Sequence, residues 1–177
     1  TDAARLVSLV SDIIRLSQLD ENTEMNWENV DALSVAKEAL EMVGPIAESR
    51  NISLTIEGEP APLTSVHKLL YDIIYNLCDN AVKYNKEGGF VKVNVKTAGD
   101  KVQVAVSDNG VGIAPADQSR VFERFYRVDK SHSRESGGTG LGLSIVKHAV
   151  AYLKGSISLE STLGKGTTIT VSFPAEK

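Results

Sequence analysis

Apolar residues recur every three or four positions near the start of the chain and predict one amphipathic helix over residues 2–19. The stripe consists of Leu6, Leu9, Val10, Ile13, Leu16 and Leu19. A polar run over residues 20–26 then ends the period. We therefore expect a domain boundary there, with residues 1–22 separate from residues 23–177.

The pattern over residues 27–84 alternates between strand and helix signals. A short strand is expected at residues 27–30, followed by a helix to about Ser49 in which Pro45 predicts a kink or a break. Alternation at residues 52–56 predicts a strand, and a long helix fits residues 65–84. A turn is expected between the last two, around residues 58–62.

The second half of the chain reads mainly as strands. Alternating valines over residues 91–106 flank a Gly-Asp turn and predict a hairpin. Residues 110–138 are polar and lack a regular period, which is typical of a functional lid or a mobile loop. A helix is expected over residues 141–153, and a closing strand pair at residues 156–159 and 167–173. Together these elements predict an α+β fold, a two-layer sandwich of a mixed sheet with helices on one face.

The composition is that of an ordinary globular protein. Of 177 residues, 42% are hydrophobic and 24% are charged, which excludes disordered and low-complexity classes. A formal net charge of -4 argues against sequence-independent binding to nucleic acid or to an anionic membrane. The single cysteine, Cys78, excludes an internal disulfide and suits a reducing compartment. The chain opens at Thr1 without an initiator Met, so we expect a piece of a longer protein.

One arc of the helix expected over residues 65–84 carries polar side chains: Asp72, Asn76, Asp79, Asn80 and Lys83. A solvated face is the simplest interpretation. However, Asn and Asp inside a helix sacrifice helical propensity that Glu, Lys or Gln would keep. Amide oxygens four residues apart can share a hard cation, and a lysine one turn further can meet a phosphate. The arc therefore indicates a metal-phosphate site as the alternative.

A second candidate is Asp108, which directly follows a predicted strand and begins the run Asp-Asn-Gly-Val-Gly-Ile over residues 108–113. Asn-Gly is a common hairpin turn, but no alternating strand follows this one. The glycines would let a flat ligand approach the backbone, and the carboxylate could accept a hydrogen bond from an exocyclic amine. Such an acceptor favours adenine over guanine.

Two further segments could meet an anion. The glycine-rich run over residues 137–144 leads into a helix whose first N–H groups suit phosphate, although a flexible linker would look similar. It matches neither a P-loop nor a dinucleotide fingerprint. Residues 120–134 interleave basic and aromatic residues, which can indicate single-stranded nucleic acid. The net charge favours instead a lid whose guanidinium covers a terminal phosphate.

The order of these motifs resembles that of the catalytic, ATP-binding domain of bacterial sensor histidine kinases. Residues 76–84 are similar to the N box, 108–113 to the first glycine box, 122–129 to the F box, 138–143 to the second glycine box and 164–168 to the last. The helix before them resembles the second helix of the family's dimerisation and phosphoacceptor domain, and would account for residues 1–22.

This resemblance implies a Bergerat fold that binds ATP and Mg²⁺ and donates the γ-phosphoryl group to a histidine in two-component signalling. It implies Asn80 and Asn76 as ligands of Mg²⁺, with Lys83 and Arg127 completing the catalytic set at the phosphates. The remaining nucleotide contacts implied are Tyr84, Asp108, Gly110, Gly112, Ile113, Arg124, Gly138, Thr139, Gly140, Leu141, Gly142, Leu143 and Thr167.

The resemblance also implies partners: the protein's own dimerisation domain in a homodimer, and a response regulator, with no nucleic acid. It implies a cytoplasmic domain that reaches a membrane only through parts outside this chain. Related ATPases carry Glu where this chain has Asn76, so an ATP hydrolase is one alternative, and a non-catalytic nucleotide sensor is another. Because His67, His132 and His148 lack the acceptor's context, we expect ATP binding without autophosphorylation.

Overall fold

The computed structural model describes residues 26–123 and 142–175, together with residues 3, 6, 7, 9, 10, 13 and 14. The elements in chain order are β1 (Glu28–Asp31), α1 (Ala32–Ser49), β2 (Ser53–Gly58), β3 (Pro62–Ser65), α2 (His67–Lys83), β4 (Phe90–Ala98), β5 (Lys101–Asp108), α3 (Pro115–Gln118), α4 (Gly142–Tyr152), β6 (Ser156–Thr162) and β7 (Gly166–Pro174).

The main sheet has five strands in the order β2-β4-β5-β7-β6. The β2–β4 pair is parallel and the other pairs are antiparallel, so the predicted mixed sheet is confirmed. Every second residue of the central strands is buried, including Val93 on β4, Val104 on β5 and Val171 on β7. These side chains form one core with the apolar faces of α1, α2 and α4. The alternation leaves the opposite face of the sheet polar and confirms the two-layer α+β arrangement.

Three local expectations were wrong or incomplete. Helix α1 continues through Pro45, so a break, one of the two expected outcomes, does not occur; Val43 and Ala47 on either side of Pro45 are buried in the core. Strand β3 was missed; it pairs with β1 in a separate two-stranded sheet. Helix α3 lies inside the segment predicted to be irregular.

The helix predicted at the start of the chain is confirmed for the seven residues described there, all of which are helical. Leu9 packs against Ile145 of α4. The other apolar side chains described are largely exposed: Leu6, Val7, Val10, Ile13 and Ile14. Within the residues described, a helix long and apolar enough to span a bilayer is not found.

Candidate functional site

The polar arc of α2 is buried rather than solvated. Only 7% of Asp72, 8% of Asn76 and 9% of Asp79 is exposed, and Asn80 is half-buried. Helix α4 packs against α2, and its first residue, Gly142, lies beside Asn76 and Asn80 of this arc. Buried polar side chains cost free energy unless they serve a specific partner. The interpretation of the arc as a plain surface face is therefore excluded.

Gly142, the first residue of α4, faces two amides of the arc. A methyl group at Gly142 would lie 3.3 Å from Asn76 Oδ1 and 3.7 Å from both Oδ1 and Nδ2 of Asn80. Asn76 Nδ2 donates to the Asp72 carbonyl oxygen at 2.7 Å, which fixes the amide with Oδ1 towards Gly142. We call this space the amide cradle. A larger residue at position 142 would fill it.

Lys83 closes the arc at the end of α2. Its Nζ lies 2.9 Å from Asp79 Oδ2, one helical turn earlier, and both side chains are largely buried. An anionic ligand at this site would compete with Asp79 for the ammonium group. Asp79 was placed on the arc from the sequence but left out of the implied binding set, and the structure pairs it with Lys83. The role of Lys83 towards a phosphate stays a prediction.

Asp108 ends β5 and is held by backbone donors. Its Oδ1 accepts from the Gly110 N–H at 2.9 Å, and the Thr167 N–H also donates to the carboxylate. Burial raises the pKa of Asp108 above its ordinary value, although these two N–H groups act in the opposite direction. A half-buried carboxylate whose ionisation is made costly by burial is typical of a ligand-binding group.

The glycines after Asp108 allow the backbone to pass between two other segments. A methyl group at Gly110 would lie 2.4 Å from the Tyr84 carbonyl oxygen, and one at Gly112, with φ +70°, would lie 2.1 Å from that of Thr162. Val111 is bound on both sides: its N–H donates to Tyr84 and its carbonyl accepts from Gly164. The Asn-Gly hairpin is therefore excluded. Tyr84, which is 40% exposed, lies beside Gly110 and hence close to Asp108.

Two residues near this segment were missed from the sequence. Ser161 Oγ accepts from the Ile113 N–H at 2.8 Å and lies 2.8 Å from Thr167 Oγ1. Gln118 Nε2 donates to the Ile113 carbonyl oxygen at 2.9 Å and to that of Ser161 at 3.1 Å. Ile113 and Thr167 are thereby fixed by contacts within the protein. A serine in a strand and a glutamine in a short helix gave no sequence signal.

Of the remaining implied residues, only Leu143 lies in the described part of the chain, where it is half-buried in α4 beside Gly142. The other six lie outside the described residues: Arg124, Arg127, Gly138, Thr139, Gly140 and Leu141. In segments 26–123 and 142–175, a cluster of three or more His, Cys, Asp or Glu side chains able to hold a metal is absent.

Comparison with known proteins gives consistent matches. Residues 65–177 match the family model described as "Histidine kinase-, DNA gyrase B-, and HSP90-like ATPase". The chain is 40% identical over 175 residues to the sensor-like histidine kinase SenX3 of Mycolicibacterium smegmatis, covering 98% of this chain and 46% of that protein. It is 35% identical to the sensor histidine kinase WalK of Bacillus subtilis, over 98% of this chain and 29% of the relative.

Two solved structures are similar over most of the chain. The mycobacterial sensor histidine kinase MprB superposes with a TM-score of 0.74 at 29% identity, over 85% of this chain and 99% of that one. Full-length ShkA in complex with AMPPNP superposes with a TM-score of 0.86 at 27% identity, over 97% of this chain and 36% of that one. The chain spans less than half the length of the curated relatives it matches.

Proposed function

We propose a phosphoryl-transfer function from one premise: the chain belongs to the histidine kinase-, DNA gyrase B- and HSP90-like ATPase family, as the ATP-binding catalytic domain of a sensor histidine kinase. The fold and family drawn from the motif order are confirmed. We propose that this domain binds ATP with Mg²⁺ and donates the γ-phosphoryl group to a histidine of the dimerisation domain. A response regulator then receives the group. The buried amide arc of α2, facing the start of α4, carries this proposal.

The residues around the amide cradle suit a magnesium ion. Mg²⁺ prefers oxygen ligands, keeps several waters and is often held by a few protein oxygens together with phosphates. Asn76 and Asn80 offer two amide oxygens, and the missing side chain of Gly142 leaves space beside them. When bound, the ion would neutralise phosphate charge. Lys83 would add a positive charge at the same end of α2.

Residues 1–22 fit the second helix of the dimerisation domain, with residues 23–177 as the catalytic domain. The described part of that helix contacts α4 through Leu9 and leaves five apolar side chains exposed. Exposed apolar stripes of this kind mark surfaces that pack against a partner. In the whole protein, a homodimer would supply that partner.

The absence of a carboxylate at position 76 separates a kinase from a hydrolase. Hydrolysis needs a base to activate water, and an amide such as that of Asn76 cannot remove the proton. Phosphoryl transfer requires mainly positioning and charge neutralisation. A neutral imidazole already carries the lone pair that attacks phosphorus. The site is therefore sufficient for transfer to histidine and poor for hydrolysis.

The 177-residue chain, incubated alone with γ-labelled ATP, is expected to hydrolyse it slowly and to take up no stable label. Addition of the parent protein's phosphoacceptor domain, with its own catalytic domain removed, is expected to give an acid-labile label on that domain. Label on His67, His132 or His148 would contradict the proposal, as would turnover typical of a dedicated ATPase. ATP binding without transfer to any added acceptor would favour a nucleotide sensor.

The substitution Gly142→Ala tests the amide cradle. Alanine is the better helix former, by up to about 1 kcal/mol, so the melting temperature should be unchanged or higher. The added methyl group would lie 3.3 Å from Asn76 Oδ1, and Mg²⁺-ATP affinity should fall about tenfold, or ~1.4 kcal/mol. Gly44→Ala in α1, where a methyl group meets nothing within 4 Å, is the matched control. Equal Mg²⁺-ATP affinities for the two variants, measured by calorimetry, would mean that the ligand does not use this space.

A further inference from the structure

Arg50 follows α1 directly, yet its guanidinium reaches the far end of α2. Nη1 donates to the carbonyl oxygens of Val82 and Lys83, the latter at 2.8 Å, and Nη2 donates to that of Asn85 at 2.6 Å. The last carbonyl groups of a helix have no partner within the helix and carry a partial negative charge. One half-buried cation therefore satisfies three backbone acceptors where α2 ends. The Arg50 carbonyl in turn accepts from the Gly88 N–H.

Two asparagines bind the backbone of Phe90, where the loop between α2 and β4, residues 84–89, ends. Asn85, which is 4% exposed, accepts from the Lys86 N–H at 2.8 Å and donates to the Phe90 carbonyl oxygen at 2.9 Å. Asn109 Oδ1 accepts from the Phe90 N–H at 2.7 Å. Side-chain contacts therefore hold this loop at both ends, and those of Arg50 come from a residue more than 30 positions earlier in the chain.

This loop touches the segment that holds Asp108. The Tyr84 carbonyl oxygen accepts from the Val111 N–H at 3.1 Å, and a methyl group at Gly110 would lie 2.4 Å from that same oxygen. The Gly110 N–H donates to Asp108 Oδ1. A displacement of Tyr84 would therefore move Gly110, and with it a hydrogen bond that orients the Asp108 carboxylate.

We propose that Arg50 is a positioning residue for recognition of the nucleotide base. By holding the carbonyl groups at the end of α2, it fixes Tyr84 against Gly110 and so aims Asp108 at the exocyclic amine. This inference rests on the proposed ATP-binding function. Arg50 acts on the Asp108 side of the site and makes no described contact with Asn76 or Asn80. Its loss should affect base selectivity more than the metal.

The test compares wild type, Arg50→Met and Arg50→Lys, all at a temperature well below their melting points. In Arg50→Met, the ATP dissociation constant is expected to rise about tenfold, with a smaller change for GTP. Hydrogen exchange of the Val111 N–H should accelerate. Arg50→Lys should fall between the two, because an ammonium group cannot reproduce the fork that binds three carbonyl oxygens. Glu87→Ala, which removes an exposed contact of Asn51 with the same loop, should leave both dissociation constants unchanged.

A lower melting temperature with unchanged ATP and GTP affinities would show that Arg50 is structural only and would overturn the inference. Equal weakening of both nucleotides would do the same, because a positioning role predicts a changed ratio. If Arg50→Met does not fold, Arg50→Lys decides the matter with the same measurements. A wild-type chain that binds neither nucleotide would instead refute the proposed function.

Discussion

Asp108→Asn is expected to weaken ATP binding about 100-fold, or ~2.7 kcal/mol, and to abolish the preference for ATP over GTP. In the proposed site the carboxylate would be a charged acceptor for the exocyclic amine of adenine, whereas the replacing amide would present a donor to that amine. Both backbone N–H groups that hold the carboxylate stay in place, so the surroundings of the site should persist. Calorimetric titration with ATP, ADP and GTP measures the effect.

The same substitution should not destabilise the fold near neutral pH. Burial raises the pKa of Asp108 above its ordinary value of 3.8, so the native protein keeps this proton to higher pH than the unfolded chain. The stability that Asp108 contributes is therefore complete at pH values below 3.8 and is lost as pH rises through the raised pKa of the native protein. Asp108→Asn removes this dependence. The difference in the free energy of unfolding, variant minus wild type, should therefore be most positive at neutral pH and should decrease towards acid pH; urea denaturation at several pH values measures it.

Asp100→Asn, at an exposed position in the β4–β5 turn, is the matched control and should bind ATP like wild type. ATP binding by wild type should also weaken as pH falls through the raised pKa of Asp108, since the protonated form is a poorer acceptor. Unchanged ATP affinity and selectivity in Asp108→Asn would mean that the base binds at another place.

The sequence predicted well those elements in which the hydrophobic pattern runs over many consecutive residues and does not depend on distant segments. Strands β4 and β5 each bury three alternating valines and are joined by a tight turn, so the hydrophobic period and the turn signal agree. Helix α2 shows a buried stripe along its 17 residues. Strand β3 has only four residues and begins with Pro62, and its pairing with β1 is decided by residues some 30 positions away. No local pattern could reveal it.

The same distinction applies to the site. Asn76, Asn80 and Asp108 could be found because their residue types conflict with the preferences of the elements that carry them. Three other side chains form hydrogen bonds to backbone groups 32 to 48 residues away in the sequence: Ser161, Gln118 and Arg50. The residue type of each is common in its element, so it gives no local signal. Contacts of this kind are specified by the packed fold rather than by spacing along the chain.

Asn80→Ala is expected to remove the Mg²⁺ dependence of ATP binding. In wild type, Mg²⁺ should tighten ATP binding by about 10- to 100-fold over binding in EDTA, because amide oxygens at the cradle would, as proposed, help to hold the ion against the phosphates. The variant should bind ATP equally in both conditions. Titration of each protein with ATP, in excess Mg²⁺ and in EDTA, gives the four dissociation constants required. Asn29→Ala, at an exposed position on β1, should behave as wild type.

The affinity in EDTA is the informative control, because Asn80→Ala leaves the Lys83–Asp79 pair at 2.9 Å untouched. The proposed contacts of Lys83 and Asp108 with the nucleotide should persist, so the wild-type and variant constants in EDTA should agree. Weaker binding in EDTA as well would show that Asn80 contacts the nucleotide itself or shapes α2. If a full Mg²⁺ effect persists in the variant, the ion does not depend on Asn80. The amide cradle would then have to be assigned to Asn76 alone, which Asn76→Ala would decide by the same four constants.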